Sequence, residues 1–299
     1  MFVLQETAWQ LFRNKGRTII LLLASAMLAG CMAFYLGNIR ASEETLEQLA
    51  RSTPVQVDVT NSRGEFGLGI NIEPIRCDNF ISNPYLEALR TVIYAQGAYG
   101  VEARAAEHFS GGDCTTTGVN CLAAIWMPDG EFTYMDGYDE SFLTTEQPLC
   151  LVDKEFAMNN GIEVGSEVSY LIYMLQFDQY GTNFAPLGEH CLKVVGTSHS
   201  TLNPQQFIVP VGWMRRTAEE QDIAFVYNDV SGRMKDPRQL NEFKEGIMEM
   251  SFLEPNPDAQ DQFSGISIVV DDEQYIASAE KLGQNIMLFR NFLAPFLLW

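Results

Sequence analysis

The chain has 299 residues, 46% of them hydrophobic and 11% aromatic, which is enough for a packed core and argues against disorder. With 39 acidic residues against 19 basic ones its net charge is -20, and no basic stripe exists to meet nucleic-acid phosphates. The length has room for one large or two modest domains.

Residues 2–12, FVLQETAWQLF, place Leu4, Ala8, Leu11 and Phe12 on one apolar face, with Trp9 suited to the headgroup level of a bilayer. This predicts an interfacial helix within residues 1–17. RNKGRT then turns the chain, with Gly16 as the flexible point. Ile19 to Leu36 follows without a charge, interrupted only by Ser25 and the hydroxyl of Tyr35. As a helix it rises roughly 27 Å, close to a hydrocarbon core of about 30 Å, which predicts a transmembrane helix over 18–37. Residues 1–40 carry a balance of +3 and residues 41–299 therefore -23. Basic residues beside a spanning helix mark the cytoplasmic side, so Arg13, Lys15 and Arg17 predict a cytoplasmic N-terminus and an extracytoplasmic body over 38–283. The expected location is the cell membrane, with lipid as one partner.

Leu28-Ala29-Gly30-Cys31 also reads as a lipobox, with Cys31 as the lipidated residue of a bacterial lipoprotein. Against that reading, the apolar run continues past Cys31 through MAFYL, and the far end of the chain is again apolar.

ASEETLEQLARS continues as a stalk helix over 41–52, ended by Pro54, and VQVDVT (55–60) alternates as a strand. Residues 61–74 read as a loop or hairpin, and the spacing of Gly64, Gly67 and Gly69 does not match a phosphate loop. Asn83-Pro84 predicts a helix start, with Tyr85, Leu86, Leu89, Val92 and Ile93 as its buried face and Gly97 as its end. Strands are predicted at 101–109 and 121–128, with SGGDCTTTGVN between them as a loop. Further on come a strand at 149–152, a helix at 153–160 capped by Gly161, and strands at Glu167–Met174, 190–200 and 205–214. The next predicted elements are a strand at 223–230, a helix at 236–250 and a strand at 266–272. The helix has Leu240, Phe243, Ile247 and Met250 on one face. Helical texture then runs to the end, where 284–299 reads as the start of a second spanning helix. The fold class is α+β: mixed sheets with short helices, in two subdomains, on a membrane helix.

Six cysteines are present, and an outside location permits disulfides. Cys114 and Cys121 flank the expected TTTGVN loop and suit a local bridge. A bridge between Cys150 and Cys191 is weaker, and free thiols are the alternative. His108 with Asp113, Cys114 and Cys121 matches no standard zinc spacing, and no nucleophile elbow or Ser/His/Asp set can be assembled. The sequence therefore offers no catalytic, cofactor-binding or metal-ligating set.

The run LVDKEFAMNNGIEVGSEVSYLIY, then LKVVGTSHS, then FIVPVGWM, behind RNKGRT and an apolar helix, resembles the extracytoplasmic core domain of MacB/FtsX-type ABC transporter permeases. The resemblance covers the head, the first spanning helix and the middle of the body. It implies a permease subunit that couples ATP hydrolysis in a separate cytoplasmic ABC ATPase to motion of the outer domain. ATP and magnesium would then bind the ATPase, and none of the cofactors would bind this chain. It implies a second permease copy or paralogue as partner. It also implies three more spanning helices, so that the sequence reads as the N-terminal part of a longer chain. A membrane-anchored sensor with a ligand-binding body is the alternative reading, and a lipoprotein held at Cys31 the third.

Overall fold

A computed structural model of the chain describes residues 15–65, 70–99, 112–178, 181–259 and 265–297. The expected interfacial helix, Arg13, the strand at 101–109 and His108 lie outside the described residues. Two compact units are present, one of residues 1–54 with 272–299 and one of 55–271.

The first unit holds two long helices. Helix α1 (Lys15–Ser52) runs unbroken, so the apolar span and the charged stalk are one element of 38 residues. Most of its apolar side chains stand exposed, Leu21 at 67% and Met27 at 71%. A solvated helix cannot carry such a surface cheaply, whereas lipid covers it at no cost. Among the described residues α1 is long and apolar enough to cross a membrane. Lys15 and Arg17 stand exposed in its first turn. Thr53 and Pro54 follow its end, and proline cannot extend the ladder of the preceding turn. Helix α6 (Glu273–Leu297) lies against α1.

The second unit is built on one ten-stranded sheet. Strand β1 (Gln56–Asn61) lies antiparallel between β10 (Ile266–Asp271) and β9 (Asp229–Met234). Strand β9 pairs with the first half of β2 (Leu86–Ala98), which pairs along its second half with β3 (Cys114–Val119). The ladder continues through parallel β8 (Phe207–Pro210), antiparallel β5 (Leu149–Asp153) and parallel β7 (Gly181–His199). Strand β6 (Glu167–Asp178) pairs along β7 and also with Ala95–Ala98 of β2. The six strands β2, β3, β8, β5, β7 and β6 thus close a ring, and β4 (Glu131–Tyr134) adds to the end of β7. Strands β9, β1 and β10 extend from β2 as an open antiparallel flank.

The two faces of the ring have separate cores. Tyr170 of β6 stacks on Phe207 of β8 with ring centroids 4.3 Å apart, and Thr116 of β3 donates to its hydroxyl at 3.2 Å. Strand β6 neighbours neither β3 nor β8, so these contacts cross the interior of the ring. Outside it, Val92, Val119, Leu151, Val195 and Ile208 are buried with Phe142 and Leu143, under Leu122, Ile125, Met127 and Phe132. On the flank, α2 (Pro74–Ile81) buries Phe80 against Gly232 of β9, and Phe80 meets Phe252 edge-on at 6.3 Å. Between β8 and β9 runs helix α4 (Val211–Glu220), tied to α2 by the paired contacts of Arg215 with Asp78 at 2.6 and 2.9 Å.

Several expectations are met. Helix α3 (Lys154–Asn160) follows β5, capped by Asp153, whose carboxylate accepts from Glu155 N and Phe156 N, and ended by Gly161 at φ 65°. Helix α5 (Leu240–Gly246) and its flanking turns bury Leu240, Phe243, Ile247 and Met250, the expected face. Others are corrected. Residues 86–98 form β2 and not a helix, because Thr91-Val92-Ile93-Tyr94 is β-branched and aromatic and finds strands on both edges. The TTTGV segment, expected as a loop, is β3 for the same reason. Residues 121–128, expected as a strand, open with a 3-10 turn at Leu122–Ala124. The loop expected around Gly181 and Pro186 belongs to β7, and the strand expected at 223–230 begins only at Asp229. Residues 55–271 form one compact unit, in which β2 belongs to both the ring and the flank.

Candidate functional site

The two long helices join the body through the same pair of strands. Helix α1 ends at Ser52 and β1 begins at Gln56, while β10 ends at Asp271 and α6 begins at Glu273. Gln56 and Asp271 are cross-strand partners. Both covalent connections therefore meet at one end of the β1/β10 ladder, through three residues on one side and one residue on the other.

Behind this ladder lies a half-buried polar cluster. Asp58 of β1 and Asp229 of β9 interact with each other and with Arg90 of β2. Burial pushes Asp229 up to about 6, the charge of Asp58 adds to this, and Arg90 offsets part of it. Burial also raises Asp58, while a hydrogen bond from Gln56 at 3.1 Å and Arg90 oppose the shift. Two carboxylates sharing a poorly hydrated patch resist ionising together. Nothing in the spacing of VQVDVT and YNDV marks these acids as neighbours. The pairing of β1 with β9 brings them together, and that pairing spans most of the chain.

Asparagine side chains close the ladder where strands part. Asn228, 2% exposed, accepts from Tyr94 N at 2.8 Å and donates to Ile70 O and Leu175 O at 3.2 and 3.3 Å. It sits where β2 changes partners from β9 to β6. Asn120 bridges the irregularity between Glu87 and Arg90 in the same way, donating to Leu89 O and accepting from Thr91 N, both at 2.9 Å. An amide side chain offers one donor group and one acceptor, as a peptide unit does.

The residues singled out by sequence are not brought together. Cys114 opens β3 and Cys121 lies two residues past its end, with both thiols free. The five residue steps of the strand beyond Cys114, at about 3.3 Å each, carry them far beyond the Cα spacing of about 4.4–6.8 Å that a disulfide needs. The expected bridge required a loop there. Cys150 is buried and Cys191 exposed, and both are also free. His190 Nε2 donates to Leu187 O, 2.9 Å away, and its ring meets Trp213 edge-on, while His199 lies 4.0 Å from the Asp153 carboxylate. Among the described residues no group of three or more His, Cys, Asp or Glu side chains could hold a metal ion.

No family model matches the sequence, and no curated protein matches it. Among solved structures, the chain is similar to the periplasmic region of MacB from Actinobacillus actinomycetemcomitans, with a TM-score of 0.42 and 8% identity. The match covers 74% of this chain and 92% of that one. A likeness of this degree is too distant to bear on activity.

Proposed function

We propose that this chain is a permease subunit of an ABC transporter of the MacB/FtsX type, in which the body over 55–271 moves in response to a separate cytoplasmic ATPase. The observation that carries the reading is the attachment of α1 and α6 to one cross-strand pair, Gln56 and Asp271. A relative movement of two membrane-anchored helices would shear or rotate β1 against β10, and the ladder would pass this to β9 and β2. The ordered motifs that resemble the family support the same reading. Energy conversion is then mechanical. ATP and magnesium bind the partner, and this chain holds no hydrolytic site. A second permease copy or paralogue completes the assembly, with the N-terminus cytoplasmic and the body outside.

Two measurements test this. Cys191 is exposed, whereas Cys77, Cys114 and Cys150 are buried. A membrane-impermeant maleimide added to right-side-out vesicles should label the chain, and Cys191→Ser should remove most of the label. Labelling only after the membrane is opened would reverse the orientation. Affinity purification from native membranes should bring down an ATPase whose turnover depends on the chain. A copurifying histidine kinase activity would favour the sensor reading instead.

A further inference from the structure

A groove of about 580 Å3 lies beside β10, away from the polar cluster. One wall is apolar, formed by Ile247, Met248, Leu253 and Pro255, with Met248 73% and Leu253 52% exposed. The other wall is Ile268, Val269 and Val270. Side chains alternate between the faces of a strand, so three consecutive residues line one groove only through the backbone edge. One edge of β10 is taken by β1, and the groove runs along the other.

That edge is half covered. Leu253 N donates to Ile266 O at 3.1 Å, and Leu253 forms a parallel bridge at Ser267. In an antiparallel strand the N–H and C=O of one residue point to the same edge, and successive residues alternate. Ile268 and Val270 therefore share the groove edge with Ile266, while Ser267, Val269 and Asp271 face β1. Beyond Leu253, no described residue pairs with the C=O of Ile268 or with the N–H and C=O of Val270. The segment ISIVVD has no lysine, proline or bulge of the kind that protects sheet edges.

Charge selects among occupants. Glu245 and Glu254 line the groove, and Glu249 and Asp271 adjoin lining residues, all four exposed, against Lys244. We propose that the groove binds an extended cationic peptide segment, which adds a strand to β10 at Ile268–Asp271. Its main chain pairs with Val270, its apolar side chains enter against Met248 and Leu253, and its basic side chains meet the acidic rim. This is strand addition, in which backbone bonds supply affinity and alternate side chains supply selectivity. The site does not depend on the transporter reading.

The test uses the full chain in detergent and a capped octapeptide alternating lysine and valine, with a glutamate–valine octapeptide as control. Saturable binding of the lysine peptide, at least tenfold tighter than the control, is expected by fluorescence anisotropy. Val270→Pro removes an N–H that faces the groove and leaves the bonds to β1 in place, since edge strands tolerate proline at such positions. It should abolish binding without shifting the melting temperature by more than a few degrees. The surface double variant Glu245→Lys/Glu254→Lys, which carries no backbone risk, should weaken binding at least tenfold. Absence of binding, or binding indifferent to both variants, overturns the proposal. So does self-association in sedimentation that Val270→Pro abolishes while the peptide does not bind, because a second copy then occupies the edge.

Discussion

Asn228 concentrates the cost of the sheet's branch point in one side chain. Removing its amide strands Tyr94 N, Ile70 O and Leu175 O in a site that is 2% exposed. An unsatisfied buried backbone group costs about 1–3 kcal/mol, so Asn228→Ala should lower stability by on the order of 3 kcal/mol in urea denaturation. An unchanged midpoint would mean that water replaces the amide. Asp229 behaves differently, because its penalty depends on pH. Its folded pKa of about 6 lies above the unfolded value of about 4. Between these values the folded state binds more protons than the unfolded one, so stability falls as pH rises through this window. The cost is complete above about pH 7 and absent below about pH 4. Asp229→Asn should therefore stabilise the body at pH 7.5, by on the order of 2 kcal/mol, and the gain should vanish near pH 4. Melting curves of both proteins at the two pH values check this, and a gain that grows at low pH would contradict it.

At the scale of elements, the ring interior leaves no room at Gly97. A Cβ there would lie 2.5 Å from Cys114 Sγ and 2.8 Å from the Tyr170 ring. Gly97→Ala should cost about 1–3 kcal/mol through overpacking. Adding Cys114→Ala removes the nearer obstacle, so the double variant should recover part of the loss, and a cycle of the four proteins measures the coupling. Strict additivity would place Cys114 outside the interior. The same glycine shows what could be read in advance. Gly97 looked like a helix end because Tyr85, Leu89 and Ile93 happen to recur at helical spacing. It is instead a strand residue kept small by a partner far along the chain. Where local chemistry decides, the sequence is transparent: Asp153 and Gly161 bracket α3, and the apolar spacing from Leu240 to Met250 marks the buried face of α5 and its flanking turns. The apolar span of α1 was equally plain, since the charge-free run from Ile19 to Leu36 depends on no partner far along the chain. The polar cluster and the edge of β10 were not, because each depends on which strands neighbour one another. No local pattern encodes that order.

For the whole molecule, the decisive feature is the division between the helices and a body with its own cores. The body's apolar contacts run from the Tyr170–Phe207 stack to Phe80 and Phe252, and both belong to residues 55–271. Its stability should therefore not depend on how stiffly it is attached, whereas the proposed transmission should. Inserting Gly-Ser-Gly-Ser between Thr53 and Pro54 lengthens the three-residue connection of α1 to β1 with a segment that behaves as a random coil. The urea midpoint of the body should stay within about 0.5 kcal/mol of the parent, since no buried group is touched. Under the proposed function, stimulation of a partner ATPase by the chain should fall several-fold, because motion of α1 is then absorbed before it reaches β1. A rigid control of equal length, Glu-Ala-Ala-Lys, should lose less. Full stimulation with the flexible insert would mean that force does not pass through this connection. A lowered midpoint would mean that the body needs α1 to fold.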